Sequence, residues 1–176
     1  MSDTDPIFEM LRTAKTSAWH FETRDAWALG EGPHRDSFEE FMRTGTVDDS
    51  PDATFRSGWL PVVREAVARG IEFRRLRLIS EPVTDYIRWE HALTAANVAV
   101  GEQVRWLPRR LCMDLAVVPV DFWIVDGSAV RFGLYSGDGE FAGYESRSEP
   151  GIAKLVSSTF ATAWERGIPH NQYAAV

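Results

Sequence analysis

The stretch IEFRRLRLISEPVTDYIRWEHALTAANVAVGEQVRWLP, residues 71–108, carries the clearest structural pattern of the chain. Residues 71–80 are rich in branched and aromatic side chains, as a strand is, and residues 103–108 repeat that pattern after Gly101. Between them, residues 83–100 place apolar side chains at helical spacing. Because two strands joined by one helix of this length pair in parallel, the stretch predicts a parallel βαβ unit.

Downstream of this unit, three more strands are predicted, at DFWIVD (121–126), AVRFGLYS (129–136) and FAGYES (141–146). Their connections are short and contain glycine, which is typical of hairpins between antiparallel strands. A last helix is predicted over 149–166, and its buried face comprises Ile152, Leu155, Val156, Phe160 and Trp164. The expected fold class is therefore α/β: a central mixed sheet with a parallel βαβ unit (71–108), an antiparallel meander (121–146) and packed helices.

The amino-terminal side is predicted to be less regular. Helical spacing predicts helices over 6–14, 34–43 and 59–70, the last of which ends at Gly70. Residues 17–23 alternate as a half-buried strand does, and 26–29 is predicted to return beside it as a hairpin partner. Residues 44–57 are rich in Asp, Ser, Thr, Gly and Pro, so they predict a loop. Across the elements, five tryptophans are expected to be buried: Trp19, Trp89, Trp106, Trp123 and Trp164.

Composition narrows the class of protein. The chain has 176 residues, 44% of them hydrophobic, and 19 basic against 26 acidic side chains give a net charge of −7. This length suits one domain, residues 1–176, with 1–57 less regular and 58–170 as the core. The single cysteine, Cys112, cannot form an internal disulfide. No stretch is apolar enough to span a bilayer and the start lacks the pattern of a signal peptide, so a cytoplasmic location without membrane contact is expected.

Positive charge is concentrated in residues 64–110, where every basic side chain is an arginine. One interpretation is a local site for anions, since the guanidinium group matches the geometry of carboxylates and phosphates. The other is a genome whose codons favour arginine over lysine. Direct binding to nucleic acid is not expected, because it needs a net basic face and the rest of the chain is acidic.

The helix predicted over 83–100 carries polar residues where apolar ones belong. Its apolar face comprises Val83, Tyr86, Ile87, Leu93, Val98 and Val100. Glu90 and Asn97 fall near the middle of that face, and burying an unpaired carboxylate costs several kcal/mol. Glu90 is therefore expected to contact a strand arginine, either Arg77 or Arg105. This pair either stabilises the fold alone, or forms the floor of a small polar pocket between helix and sheet.

A second group of charged residues is predicted at the rim beyond the carboxyl ends of the parallel strands, where α/β folds bind ligands. The predicted ligand-binding residues, floor and rim together, are Arg77, Glu81, Asp85, Glu90, Asn97, Arg105, Arg109 and Arg110. No catalytic residue, metal site or cofactor is predicted. Motifs for dinucleotides, phosphate loops, zinc proteases and serine hydrolases are all missing from the sequence, and its four histidines are scattered.

Several segments occur in the order and at the spacing of a known family. They are RRLRLISEPVTDYIRWEH (74–91), AANVAVGEQVRWLPRR (95–110), DFWIVD (121–126), YSGDGEFAG (135–143) and FATAWERGIPHNQY (160–173), with SAWHFETRDAW (17–27) as a looser match. In these segments the chain resembles DUF6879, an actinobacterial family. The resemblance implies association with regulatory loci that also encode helix-turn-helix proteins.

A fainter similarity is to the effector domains of some actinobacterial helix-turn-helix regulators, and through them to phospholipase-D-like folds. The phospholipase-D pattern consists of a His, one residue, a Lys and then an Asp. Here His91 is followed by Ala92-Leu93, and His170 by Asn171-Gln172. The resemblance therefore implies a degenerate, non-catalytic version of that fold, because the catalysis needs the Lys as well as the nucleophilic His.

Three functional hypotheses follow from the sequence. The first is a non-catalytic sensing or regulatory module, which binds a small anionic or polar ligand or a partner protein such as a helix-turn-helix regulator. The second is an unrecognised hydrolase or transferase that uses Glu90 with His91, Asp121 or Asp138. The third is an obligate partner subunit, for which an exposed apolar patch is the expected mark.

Overall fold

Seven strands form one mixed sheet within residues 6–48 and 58–176, the part of the chain that the computed structural model describes. The strands are β1 (Ser17–Glu22), β2 (Glu72–Ile79), β3 (Gln103–Pro108), β4 (Asp121–Val125), β5 (Ala129–Tyr135), β6 (Phe141–Arg147) and β7 (Ile168–Pro169). Their order across the sheet is β6-β5-β4-β1-β2-β3-β7. Most of the loop predicted over 44–57 lies outside the described residues.

Helices connect and cover these strands. They are α1 (Pro6–Thr13), α2 (Pro33–Thr44), α3 (Trp59–Ala68), α4 (Asp85–Ala99) and α5 (Pro150–Arg166). The predicted βαβ unit is confirmed, since β2 and β3 pair in parallel and α4 connects them. The predicted antiparallel meander is confirmed in β4, β5 and β6. Among the described helices, none combines the length and the apolar character that crossing a membrane requires.

The central position of β1 corrects the predicted hairpin of 17–23 with 26–29. β1 pairs in parallel with β2 on one edge and antiparallel with β4 on the other, and residues 26–29 form no strand. Both faces of β1 are covered, as Ala18 and Phe21 show by being fully buried. A strand buried on both faces belongs in the middle of a sheet.

One face of the sheet packs against α5 in a continuous apolar layer. Its buried members include Phe21, Leu76, Leu78, Leu107, Phe122, Ile124, Val156, Phe160 and Trp164. The predicted buried face of this helix needs one correction, because Leu155 is 58% exposed. It lies about 100° around the helix from Val156, on the solvent side. Ile152 is half-buried.

The opposite face of the sheet packs against α1, α3 and α4 in two separate apolar clusters. One cluster joins α1 and α3 to Phe73 and Trp123, and the other joins α4 to Ile79 and Trp106. Val98, predicted on the apolar face of α4, is 42% exposed because this helix covers the sheet only in part. Of the five tryptophans expected in the core four are buried and one, Trp19, is half-buried.

Candidate functional site

A cavity of about 750 Å³ opens between the two apolar clusters, on the sheet face opposite α5. Strands β1, β2 and β4 form its floor, and α4 together with residues 27–34 forms its walls. The charged groups along its lining include Glu22, Arg75, Arg77, Glu90 and Asp121. Aromatic side chains cover much of the rest, among them Trp27, Trp59, Tyr86, Trp123, Tyr135 and Tyr144. The cavity therefore combines buried charge with aromatic walls.

Arg77 lies at the centre of the floor, between two carboxylates. Its Nε is 2.6 Å from Glu22 Oε2, and its Nη1 donates a hydrogen bond of 2.8 Å to Glu90 Oε2. The guanidinium lies 4.9 Å from the ring centroid of Trp27 and 5.5 Å from that of Trp106. Burial disfavours its charge, but the two carboxylates outweigh burial and raise the pKa of Arg77. The predicted contact between Glu90 and a strand arginine is confirmed for Arg77.

Strand register explains why Arg77, and not Arg105, meets Glu90. Arg77 pairs with Trp106 across β2 and β3, so Arg105 lies on the opposite face of the sheet. There its Nη1 donates to the Trp164 carbonyl at 2.7 Å, and its guanidinium lies 4.6 Å from the Trp164 ring centroid. Arg105 is thus separated from the cavity by the sheet itself.

Asn97 takes part in a second ionic group, deeper in the cavity. Its Nδ2 donates a hydrogen bond of 2.7 Å to Glu102 Oε2, and Arg75 Nε lies 2.9 Å from Glu102 Oε1. Burial raises the pKa of Glu102 although Arg75 and Asn97 oppose that rise. The group accounts for the polar residue that the sequence places on the apolar face of α4.

Asp121 forms the third buried carboxylate of the floor, at the start of β4. Its Oδ1 accepts hydrogen bonds from the Thr23 backbone N–H at 2.7 Å and the Thr23 hydroxyl at 2.8 Å. Its Oδ2 accepts one from Trp27 Nε1 at 3.1 Å. Burial raises the pKa of Asp121 against these hydrogen bonds. These contacts connect Thr23 and Trp27 to the start of β4.

His20 lies in the same layer, with its ring stacked on Trp123 at a centroid distance of 4.0 Å. Burial lowers the pKa of His20 well below its usual value, and the charges of Arg75 and Arg77 lower it further. The imidazole is consequently neutral at neutral pH. Its Nδ1 lies 3.6 Å from Glu22 Oε1.

Two phenols in the walls keep their protons. The Tyr86 hydroxyl donates to Glu90 Oε1 at 3.3 Å, and burial followed by the Glu90 charge raises the pKa of Tyr86. Burial, with the charge of Asp121 adding to it, also raises the pKa of Tyr135. At neutral pH both side chains therefore present uncharged rings and hydroxyl groups to the cavity.

The charged residues predicted at the rim lie outside the cavity lining, and only Glu81 and Arg110 pair with one another. Arg110 Nε lies 2.6 Å from Glu81 Oε2, and Arg88 Nη1 lies 2.6 Å from Asp85 Oδ1. Arg109 donates to the Thr23 carbonyl at 2.6 Å. Their arginine side chains are 40% exposed or more, so these contacts are surface ion pairs of small energetic value.

The domain of unknown function DUF6879 matches residues 5–175. The chain belongs to this family. No protein with curated annotation matches the chain significantly.

Two solved structures are similar to this DUF6879 member at low identity. The crystal structure of Nuc, a phospholipase D family member from Salmonella typhimurium, is 14% identical, with a TM-score of 0.49 over 93% of this chain and 88% of that one. TrmBL2, an archaeal chromatin protein whose structure shows a novel mode of DNA binding, is also 14% identical, with a TM-score of 0.50 over 94% of this chain. The matched part is 49% of the TrmBL2 chain, so the present chain spans about half the length of that protein.

The structure separates the acids and the histidine weighed for catalysis. Glu90 and Asp121 both line the cavity, whereas His91 Nε2 lies 3.0 Å from the Tyr173 carbonyl, behind α4. Asp138 lies in the turn between β5 and β6. Across residues 6–48 and 58–176, no group of three His, Cys, Asp or Glu side chains is placed to hold a metal ion.

Three acids were missed as binding candidates by sequence reasoning: Glu22 and Asp121 on the floor, and Glu102, which binds the lining residues Arg75 and Asn97. Glu22 ends a strand that was paired wrongly, so its neighbours could not be inferred. Glu102 follows the turn at Gly101 and belongs to no periodic segment. Asp121 was considered only as a catalytic acid, although a carboxylate that opens an otherwise apolar strand, DFWIVD, was the available indication of its buried position.

Proposed function

We propose that this protein is a non-catalytic sensing module, which binds a small polar ligand in the cavity between α4 and the sheet. The observation that carries the proposal is the row of ionic groups at the cavity floor, where Arg77 is held between Glu22 and Glu90. Most of the core on this face is apolar, and Glu22, Arg77 and Glu90 all line the cavity.

The dimensions and chemistry of the cavity support a small-molecule ligand. Ligand sites commonly measure about 300–1,000 Å³, have mainly apolar and aromatic walls, and contain a few polar groups that fix orientation. The cavity of about 750 Å³ has that character. Trp27 connects both aspects, because its ring covers Arg77 and its indole N–H binds Asp121.

The fixed pairing of the acids favours binding over catalysis. A general acid or base must exchange a proton with its substrate, and its efficiency is greatest when its pKa lies near the working pH. Glu22 and Glu90 are instead ion-paired to the same guanidinium. A buried ion pair of this kind provides a rigid set of acceptors for a ligand.

The alternative function, a hydrolase or transferase, receives support from Asp121, whose pKa is raised by burial within the same cavity. Raised carboxylate pKa values in a cleft are typical of catalytic acids. We give this alternative second place, because Asp121 accepts hydrogen bonds from Thr23 and Trp27 on both oxygens.

The proposal places the module in the cytoplasm of an actinobacterium, where it reports ligand binding to a helix-turn-helix regulator encoded nearby. Its basis is the resemblance of the sequence to DUF6879 together with the single cysteine. Copurification of the two proteins from the native host tests this association. It compares the wild-type module with a variant whose cavity is disrupted.

The substitution Glu90→Gln tests the binding function. Glutamine keeps an oxygen for Arg77 Nη1 but removes the charge. If the cavity binds a ligand through Glu90, the variant should lose little stability and lose the thermal shift that a polar metabolite library produces in the wild type. If the pair only stabilises the fold, the variant should unfold more easily by about 3–5 kcal/mol.

The matched control is Glu81→Gln, at the rim. Glu81 also pairs with an arginine, Arg110, but outside the cavity lining. It should leave both the free energy of unfolding and the ligand-induced thermal shifts unchanged. A wild-type protein that no compound of the library stabilises would contradict the proposed function.

A further inference from the structure

We propose, on the basis of the binding function above, that the ligand of the cavity is an organic cation: a protonated amine on an apolar or aromatic body. Three features of the described residues support this ligand class. They are the charge balance of the buried groups, the hydrogen-bond acceptors left on the floor, and the aromatic walls.

The buried charges around the cavity carry an excess of carboxylates. Arg75 and Glu102 balance one another as an ion pair. Among the described residues, the other charged groups beside the cavity on this sheet face are three carboxylates and two guanidiniums, namely Glu22, Glu90, Asp121, Arg77 and Arg131. His20 adds no charge at neutral pH. A cation entering the cavity would neutralise the excess negative charge, whereas an anion would increase it.

Unused acceptor capacity on the floor points the same way. Glu22 is only 9% exposed, lines the cavity, and accepts no hydrogen bond within the described part of the chain. Its contact with Arg77 is an ion pair without hydrogen-bond alignment. Glu90 Oε1 accepts one long hydrogen bond from Tyr86, at 3.3 Å. Each carboxylate oxygen can accept two, so the floor offers acceptors to a ligand that carries N–H donors.

The arginines of the floor are poorly placed to receive an anion. Arg77 is 2% exposed, lies against the rings of Trp27 and Trp106, and has its Nε and Nη1 within 2.8 Å of Glu22 and Glu90. The geometry therefore favours the polar ligand over the anionic one that the arginine-rich sequence suggested.

The aromatic walls suit both parts of such a ligand. Faces of Trp and Tyr rings attract cations through their quadrupole. The wall residues already do this for arginine, since Arg77 lies 4.9 Å from the Trp27 centroid and Arg131 lies 3.5 Å from the Tyr144 centroid. Tyr86 and Tyr135 add neutral rings beside the carboxylates, against which the body of the ligand can pack.

Three probes of one shape and different charge test this inference by calorimetry on the full chain at pH 7: benzylamine, benzyl alcohol and benzoate. Benzylamine should bind about tenfold or more tightly than benzyl alcohol, and benzoate should not bind. Glu22→Gln should weaken benzylamine binding about tenfold, because it removes a floor charge. Glu72→Gln, on the opposite sheet face, is the matched control and should bind benzylamine as the wild type does.

A second measurement keeps the test decisive if the Glu22 variant fails to fold. The affinity of the wild type for benzylamine should fall as the pH rises through the pKa of the amine, because the neutral amine loses the ionic contact. If benzoate or benzyl alcohol bound as tightly as benzylamine or more tightly, the proposal of a cationic ligand would be overturned. If benzylamine does not bind while another, uncharged polar metabolite gives a thermal shift that depends on Glu90, the cationic ligand is wrong and the binding function stands.

Discussion

The two faces of the sheet use neighbouring residues of the same strands for different purposes. On β2, Leu76 and Leu78 point into the apolar layer under α5, while Arg75 and Arg77 point toward the cavity. The α5 face is closed by one long helix, whereas the other face is covered in two patches with a gap between them. One face of the sheet thus carries a continuous apolar core, whereas the other face accommodates buried charge between two apolar clusters.

The largest effect should come from Arg77→Met, on the cavity face. Removing the shared guanidinium leaves Glu22 and Glu90 without their partner, and breaking a buried ion pair costs about 3–5 kcal/mol. Denaturant titration at pH 7 measures the loss in free energy of unfolding.

Arg110→Met is the control for that substitution, because Arg110 is 60% exposed at the side chain and pairs with Glu81 at the surface. It should change the free energy of unfolding by less than about 1 kcal/mol. Equal effects of the two substitutions would show that Arg77 is not the centre of the buried charge on this face.

The substitution Leu76→Ala, next to Arg77 in sequence, tests the apolar layer on the α5 face. Leu76 is fully buried, and loss of a core leucine typically costs about 2–5 kcal/mol through lost burial and a cavity. Because no ionisable group is exposed by the change, the loss should not vary with pH. Leu155→Ala, on the solvent side of α5, should stay within about 0.5 kcal/mol. A strong pH dependence for Leu76→Ala would break the proposed distinction between the faces.

The smallest effect concerns His170, which accepts a hydrogen bond from Trp106 Nε1 through Nδ1. Burial, with the proximity of His91 adding to it, lowers the pKa of His170 to about 4. The unfolded chain takes up this proton more readily than the folded one, so the stability from neutral His170 is present above pH 6.5 and lost as the pH falls toward 4.

The substitution His170→Gln checks this sign. It should reduce the acid-induced loss of stability by about 1 kcal/mol, a value kept small because solvent reaches the half-buried ring. Thermal melts at pH 7 and pH 4.5 provide the measurement, with His34→Gln as the exposed control. If the melting temperature fell between pH 7 and pH 4.5 by the same amount in the variant as in the wild type, His170 would not be the source of the acid-induced loss of stability.

The sequence predicted the parts of the fold whose pattern is local. The β2-α4-β3 unit and the β4-β5-β6 meander follow from periodicity and short turns. The position of β1 does not, because alternation within 17–23 cannot say which strands lie beside it. Residues 26–29 resemble a strand in composition but form none, and Trp27 bonds to Asp121, which is distant in sequence.

The candidate site was predictable where a residue contradicted its own pattern, and only there. Glu90 and Asn97 stood out as polar residues on an apolar helix face. The choice between Arg77 and Arg105 depended on strand register, which β2 obscures by carrying arginines on both of its faces. Glu22 and Asp121 close the floor through pairing between β1 and β4, a long-range contact that no local pattern contains.

The central strand also has a consequence for how the chain is made. β1 leaves the ribosome before its partners β2 and β4, which lie far downstream, so its two edges stay open while the intervening chain is synthesised. Folds with such distant pairings tend to fold slowly. We expect nascent chains that end before β4 to keep that edge of β1 open to chaperones, and the sheet to close only after Val125 has left the exit tunnel.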